Sequence, residues 1–125
     1  MPEDREKKSR SGRPSVSGML ESIVGCKWSM SVLRAVVAGV HRPGALERAI
    51  PGISTKVLNE RLRKLTRFGI LERRVFPETP PRVEYHFTPF GRRFLPLIDQ
   101  VEALERELAE EGGMHAADAG VQATR

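Results

Sequence analysis

The chain has 125 residues, 39% of them hydrophobic and 30% charged, with a formal net charge of +5; this is an ordinary globular mixture of single-domain size and excludes a disordered polyelectrolyte. A lone cysteine, Cys26, excludes an internal disulfide, and no apolar run approaches the roughly 18 residues of a membrane span, the best stretch (29–40) being broken by Arg34. The charged start leads into no apolar signal segment, so a cytoplasmic protein without a membrane anchor is expected.

Residues 1–16 are polar, hold two prolines and show no apolar period, and they read as a flexible N-terminal arm. A folded domain is expected over 17–111, with a disordered tail over 112–125 starting at Gly112-Gly113. Ser17 reads as the cap of a first helix carrying Met19, Leu20, Ile23 and Val24 and ended by Gly25. A second helix is expected after Trp28, with Val32, Leu33, Val36 and Val37 at helical spacing and Gly39 as a left-handed cap. Pro43-Gly44 opens a brief helix with Leu46, Ala49 and Ile50 inward, and Pro51-Gly52 turns the chain. Ser54 then caps a helix that runs to Gly69 over a stripe of Leu58, Leu62 and Leu65.

After Gly69 the apolar period changes from that of a helix to that of a strand. Leu71, Arg73 and Val75 alternate with Glu72, Arg74 and Phe76; the run 77–81 breaks the strand, and 82–88 alternates again, which predicts a β-hairpin. Thr88-Pro89 starts the last helix, in which Phe94, Leu97, Val101, Leu104 and Leu108 form a narrow seam that Pro96 should bend or interrupt. The predicted order is helix, helix, short helix, turn, helix, hairpin, helix. That is a mainly α fold with a small β-hairpin, the winged helix-turn-helix layout.

Charge follows the elements. Residues 55–93 hold ten basic and four acidic side chains, whereas 94–125 hold two and seven. A basic middle suits a phosphate-facing surface and an acidic end suits the side turned away from it. At about 100° per residue, Lys56, Glu60, Arg63 and Arg67 fall opposite the leucine stripe, with Asn59 at the edge. Lys56 and Arg63 can reach guanine edges or phosphates, Asn59 can pair with adenine, and Glu60 can accept from cytosine. Ser54 and Thr55 lie at the positive end of the helix, where backbone N–H groups favour phosphate. The hairpin adds Arg73, Arg74 and Arg82, placed to run along phosphates or enter a minor groove. The recognition helix is thus expected over about 54–68 and the wing over about 70–88.

The strings GCKWS (25–29), VLRAVV (32–37) and LERAIPGISTKVLNERLRKLTRFGILERRVFPETPPRVEYHFTPFGRRFLPLI (46–98) resemble the HxlR-type winged-helix transcriptional regulators over about residues 18–108. The resemblance implies a bacterial- or archaeal-type homodimer on a palindromic operator in double-stranded DNA. It also implies dimerisation through the first and last helices, by Met19, Leu20 and Ile23 with Phe94, Leu97, Val101, Leu104 and Leu108. The seam itself asks for a partner helix, since a domain this small would struggle to cover it. Family members usually carry Gly-Gly-Lys-Trp where this chain has Gly25-Cys26-Lys27-Trp28, and redox-sensing members carry their cysteine further upstream. Cys26 is therefore expected to be a buried small residue, with a redox role or another effector as the open alternative.

His41, His86 and His115 stand far apart with no ligand-spaced partners, so no metal, cofactor or catalytic site is expected. The competing reading from another class is a winged helix whose basic face docks an acidic protein.

Overall fold

The computed structural model describes residues 13–115 and forms two compact units, one ending at Arg93 and the other beginning at Phe94. Residues 1–12 of the expected arm and 116–125 of the expected tail lie outside the described residues.

In the first unit, α1 spans Val16–Val24, α2 Lys27–Val37, α3 Pro43–Ala49 and α4 Thr55–Arg67. Strands β1 (Leu71–Phe76) and β2 (Arg82–Phe87) and the single turn α5 (Pro89–Arg92) complete it. Helix α2 packs against α1, α3 and α4, and α4 carries the hairpin by its contact with β1. The core consists of Ile23, Val32, Leu33, Leu46, Leu58, Leu62, Leu65, Ile70 and Leu71, none more than 2% exposed. Burial of these aliphatic side chains, at about 1.5–3 kcal/mol each, is what holds the helices together.

Local signals explain most element ends. Ser54 Oγ accepts the Val57 N–H at 3.1 Å and starts α4. Gly39, Gly52 and Gly69 take φ of 98°, 84° and 80°, the left-handed turns that a side chain resists. The hairpin is antiparallel with Leu71 opposite Phe87 and Arg73 opposite Tyr85. Thr88 closes it: its hydroxyl donates to the Gly69 carbonyl at 2.5 Å and accepts the Gly91 N–H at 2.8 Å. Any side chain at Gly91 would run into the Ile70 carbonyl, so the Thr-x-x-Gly pair is a packing requirement.

Several expectations need correction. Ser15, not Ser17, caps α1, because its hydroxyl reaches the Gly18 N–H at 3.1 Å. Helix α2 starts before Trp28, capped by Cys26. Val37 is 58% exposed and Ala49 is exposed too, since each lies past the edge of a face that its neighbours Val36 and Ile50 bury.

The second unit is α6, Leu95–His115, which continues through Gly112-Gly113, so helix replaces the start of the expected tail. Turn residues 93–94 separate α5 from α6, leaving Pro96 in the first turn of the new helix, where its missing N–H costs nothing. Phe94 and Ile98 are buried, whereas Leu97, Leu104 and Leu108 are 43%, 61% and 68% exposed. Among the described residues no helix is long and apolar enough to cross a membrane. Helices followed by a hairpin on the last of them make a winged helix-turn-helix.

Candidate nucleic-acid interface

Helix α4 is anchored by Leu58, Leu62 and Leu65, each at most 1% exposed, and this fixes which side faces solvent. Lys56, Asn59, Arg63 and Arg67 are exposed on that side, and Glu60 is half-buried at its margin. Asn59, Arg63, Thr66 and Arg67 of α4 line a cleft of about 440 Å³ with Arg73 of β1 and Tyr85 of β2. Arg63, Arg67 and Arg73 make no ion pair with another described residue. The cleft can therefore offer three guanidinium groups, a side-chain amide and a phenol to a polyanion, with the amide and an arginine suited to base edges.

Sequence reasoning brought Asn59, Arg63 and Arg73 to this cleft and left out Thr66, Arg67 and Tyr85. Arg67 follows Arg63 by one helical turn, a signal already visible. Tyr85 was hidden because strand alternation puts it on one face with the apolar Val83 and Phe87. Only the register, which sets it opposite Arg73, reveals its place.

The helix start is more occupied than expected. The Ser54 hydroxyl is spent on the cap, and Thr55 Oγ1 donates to Glu47 Oε2 of α3 at 2.6 Å. Both residues are exposed, yet Thr55 ties the recognition helix to α3 rather than offering its hydroxyl outward. Lys56 stands beside them with no ion pair to a described residue.

The hairpin arginines separate sharply. Arg74 is held by Glu72 through two contacts of 2.6 and 2.7 Å. Arg82 lies 2.9 Å from Glu78 and 3.2 Å from Glu84, with its guanidinium 4.1 Å from the Phe76 ring centre. Of Arg73, Arg74 and Arg82, all three expected to reach phosphate, Arg73 alone is left without a described carboxylate partner. The cause is the alternation itself: Glu72, Arg74, Arg82, Glu84 and His86 share the other face and neutralise one another. Glu84 is held below the usual carboxylate range by its hydrogen bond to His86, with the charge of Arg82 adding to it.

The other singled-out residues are placed as follows. Met19 and Ile23 are 3% and 0% exposed in the single chain, which removes them from the side chains available to a partner; Leu20 is half-buried. Cys26 is half-buried rather than enclosed and caps α2, its sulfur accepting the Ser29 N–H at 3.4 Å. Burial pushes the thiol up, but hydrogen bonding from Ser29 and the charges of Arg61 and Lys64 outweigh it, so it lies below the ordinary cysteine value. Burial and the positive charges of Arg61 and Arg67 lower the Lys64 ammonium in turn. Among the described residues no group of three histidine, cysteine or acidic side chains could hold a metal ion.

Comparison with known proteins gives this geometry its context. The profile of the HxlR-like helix-turn-helix family matches residues 23–112. A protein of Synechocystis named an HTH-type transcriptional regulator is 46% identical over 85 residues, covering 68% of this chain and 63% of that protein. The match thus spans less than two thirds of that relative's length. Among solved structures, a transcriptional regulator of the MarR family from Enterococcus faecalis superposes with a TM-score of 0.68 at 32% identity, covering 78% of this chain and 88% of that one. The reduced form of the transcriptional regulator YodB from Bacillus subtilis gives the same TM-score and identity, covering 76% and 93%. With a leucine-anchored basic helix beside a wing and a family profile matched across the folded part, the chain belongs to the HxlR-like helix-turn-helix family of transcriptional regulators.

Proposed function

We propose that the protein acts as a cytoplasmic homodimer on a palindromic operator in double-stranded DNA, α4 entering the major groove and the hairpin lying against the backbone. The observation that carries this reading is the α4–hairpin cleft, with three arginines that no described carboxylate neutralises. Asn59 and Arg63 read base edges, Arg67 and Arg73 take phosphates, and Lys56 contacts the backbone or a base near the helix start. Ser54 and Thr55 hold α4 in place, and Glu60 penalises wrong registers. Arg74 and Arg82 keep the outer face of the wing charge-balanced.

The exposed Leu97, Leu104 and Leu108, with Val101 between them, support pairing with a second copy through α6. Two-fold symmetry would then set two recognition helices about 34 Å apart, one helical turn of the duplex. Monomeric sedimentation at micromolar concentration would end that part of the reading. The decisive test is duplex binding at fixed salt. A cognate operator should bind about 10³-fold or more tighter than random duplex. Equal, weak binding to every duplex would instead favour the docking of an acidic protein on the same face. Cys26, with its lowered thiol, is the residue through which an oxidant or electrophile would act on the regulator, its thiolate being the attacking form.

A further inference from the structure

A second cleft, about 390 Å³, lies between the start of α3 and the opening of β2. Arg42 and Arg48 supply its charge, and Pro43, Ala45, Pro81 and Val83 supply apolar walls. Both arginines are exposed, and neither makes an ion pair with another described residue. Arg42 stands at the N-terminal boundary of α3 and makes no side-chain capping bond. Arg48 folds back toward the same end: its Nη1 would lie 3.6 Å from a side chain built on Gly44. The carboxylates of α3, β2 and the hairpin loop are engaged elsewhere, Glu47 by Thr55 and Glu78 and Glu84 by Arg82. Two like charges are thus gathered at one place with nothing to neutralise them.

This cleft continues the one at α4. Val83 and Tyr85 alternate along β2, so their side chains share a face of the hairpin. Tyr85 lines the first cleft and Val83 the second, about 7 Å further along the strand. The junction is also pinned. The Tyr85 N–H donates to the His41 carbonyl at 2.8 Å, and His41 Nδ1 lies 2.9 Å from the Tyr85 carbonyl, which fixes the residue just before Arg42 to the wing. The Thr55–Glu47 bond fixes the residue just before Arg48 to the start of α4.

We propose that the α3–hairpin cleft is a second clamp on the duplex backbone, Arg42 and Arg48 each taking a phosphate of the strand that crosses from α4 to the wing. This rests on the DNA-binding reading. With a helix in the major groove and a hairpin on the adjoining backbone, the strand between the grooves must pass between the two. A phosphodiester strand alternates charge with sugar, and the cleft matches it with guanidinium groups between apolar walls. Its exposed rim, which includes Gly44 and Pro81, suits an extended polymer rather than an enclosed small ligand. The clamp reads no base. Because its two arginines are tied to the wing and to α4, it sets the register in which Asn59 and Arg63 meet the bases.

The test follows the full chain by anisotropy over a salt series, with a labelled random duplex and an operator that the parent selects from random-sequence DNA. Arg42→Gln with Arg48→Gln should flatten the salt dependence by about two phosphate contacts per protomer. It should weaken both duplexes by the same factor, within about twofold, because phosphate contacts carry no sequence information. The denaturation midpoint should not move, both side chains being exposed. Arg42→Lys with Arg48→Lys should keep the slope, and Arg106→Gln on α6 should leave it unchanged. Neutral methylphosphonate linkages, placed one at a time along the operator, should weaken the parent at about two positions per half-site where the double Gln variant loses nothing further. A double Gln variant with the parent's salt slope, or with its methylphosphonate profile, overturns the clamp and leaves the DNA reading standing. Lost base preference at an unchanged slope would make the two arginines base readers and overturns it equally. A parent that binds no duplex removes the DNA reading and the clamp together, and polyglutamate captured by the parent but not by the double Gln variant would then assign the cleft to an acidic protein.

Discussion

Helix α4 and the hairpin each present arginines to solvent, but the two sets live in different electrostatic company. On α4 the leucine stripe occupies one side, and Arg63 and Arg67 stand on the other with no described carboxylate near enough to pair. On the hairpin, strand alternation delivers Glu72 and Glu84 to the same face as Arg74 and Arg82, and Glu78 joins them from the loop. Arg73 escapes because its side chain falls on the opposite face, with Tyr85. Counting cations along a basic segment thus overstates what a polyanion can use; the useful ones are those the fold leaves uncompensated. Exposed pairs of this kind add little stability, so their main consequence is the charge they remove from the surface.

The largest effect should come from the anchored side of the comparison. Leu62→Ala, at a site 1% exposed, should cost about 2–5 kcal/mol of stability by chemical denaturation, because truncating a fully buried side chain loses its burial and leaves a cavity. Next, Arg63→Ala or Asn59→Ala should cost about 1–3 kcal/mol on the operator and relax base preference, with folding unchanged. Arg73→Ala should weaken all duplexes alike and flatten the salt dependence by about one phosphate contact. Arg82→Ala is the sharpest check on the contrast. Its affinity change should stay within about 0.5 kcal/mol, and a loss as large as that for Arg73 would mean the ion pairs give way to DNA. Conversely, Glu78→Gln with Glu84→Gln should release Arg82 and steepen the salt slope by about one contact.

A smaller, chemical effect concerns Cys26. Its alkylation should reach half-maximal rate below pH 9.0, the ordinary thiol value, and Lys64→Ala should move that midpoint up. Glu84 adds an acid-side term. Its depressed carboxyl contributes stability above the ordinary carboxylate value of 4.5, lost as pH falls through its lower folded value. Denaturation midpoints followed into acid should show that loss in the parent and not in Glu84→Gln.

What could be read from the chain beforehand was local. Leu58, Leu62 and Leu65 recur at helical spacing, Ser54 can cap only the helix that follows it, and Gly39, Gly52 and Gly69 suit turns that other residues resist. The change of period after Gly69 marks the hairpin, and together these determine the order of elements and the side of α4 that faces outward. Tertiary structure decided everything that depends on two distant segments meeting. Thr55 meets Glu47 because α3 crosses the start of α4, and His41 meets His86 because the loop before α3 runs beside β2. Met19 and Ile23 became core residues, and Cys26 stayed half-open beside Arg61 and Lys64. Periodicity constrains a residue against its own element, over a few ångströms of continuous backbone; which charge meets which depends on the packing of elements, and no local pattern encodes it.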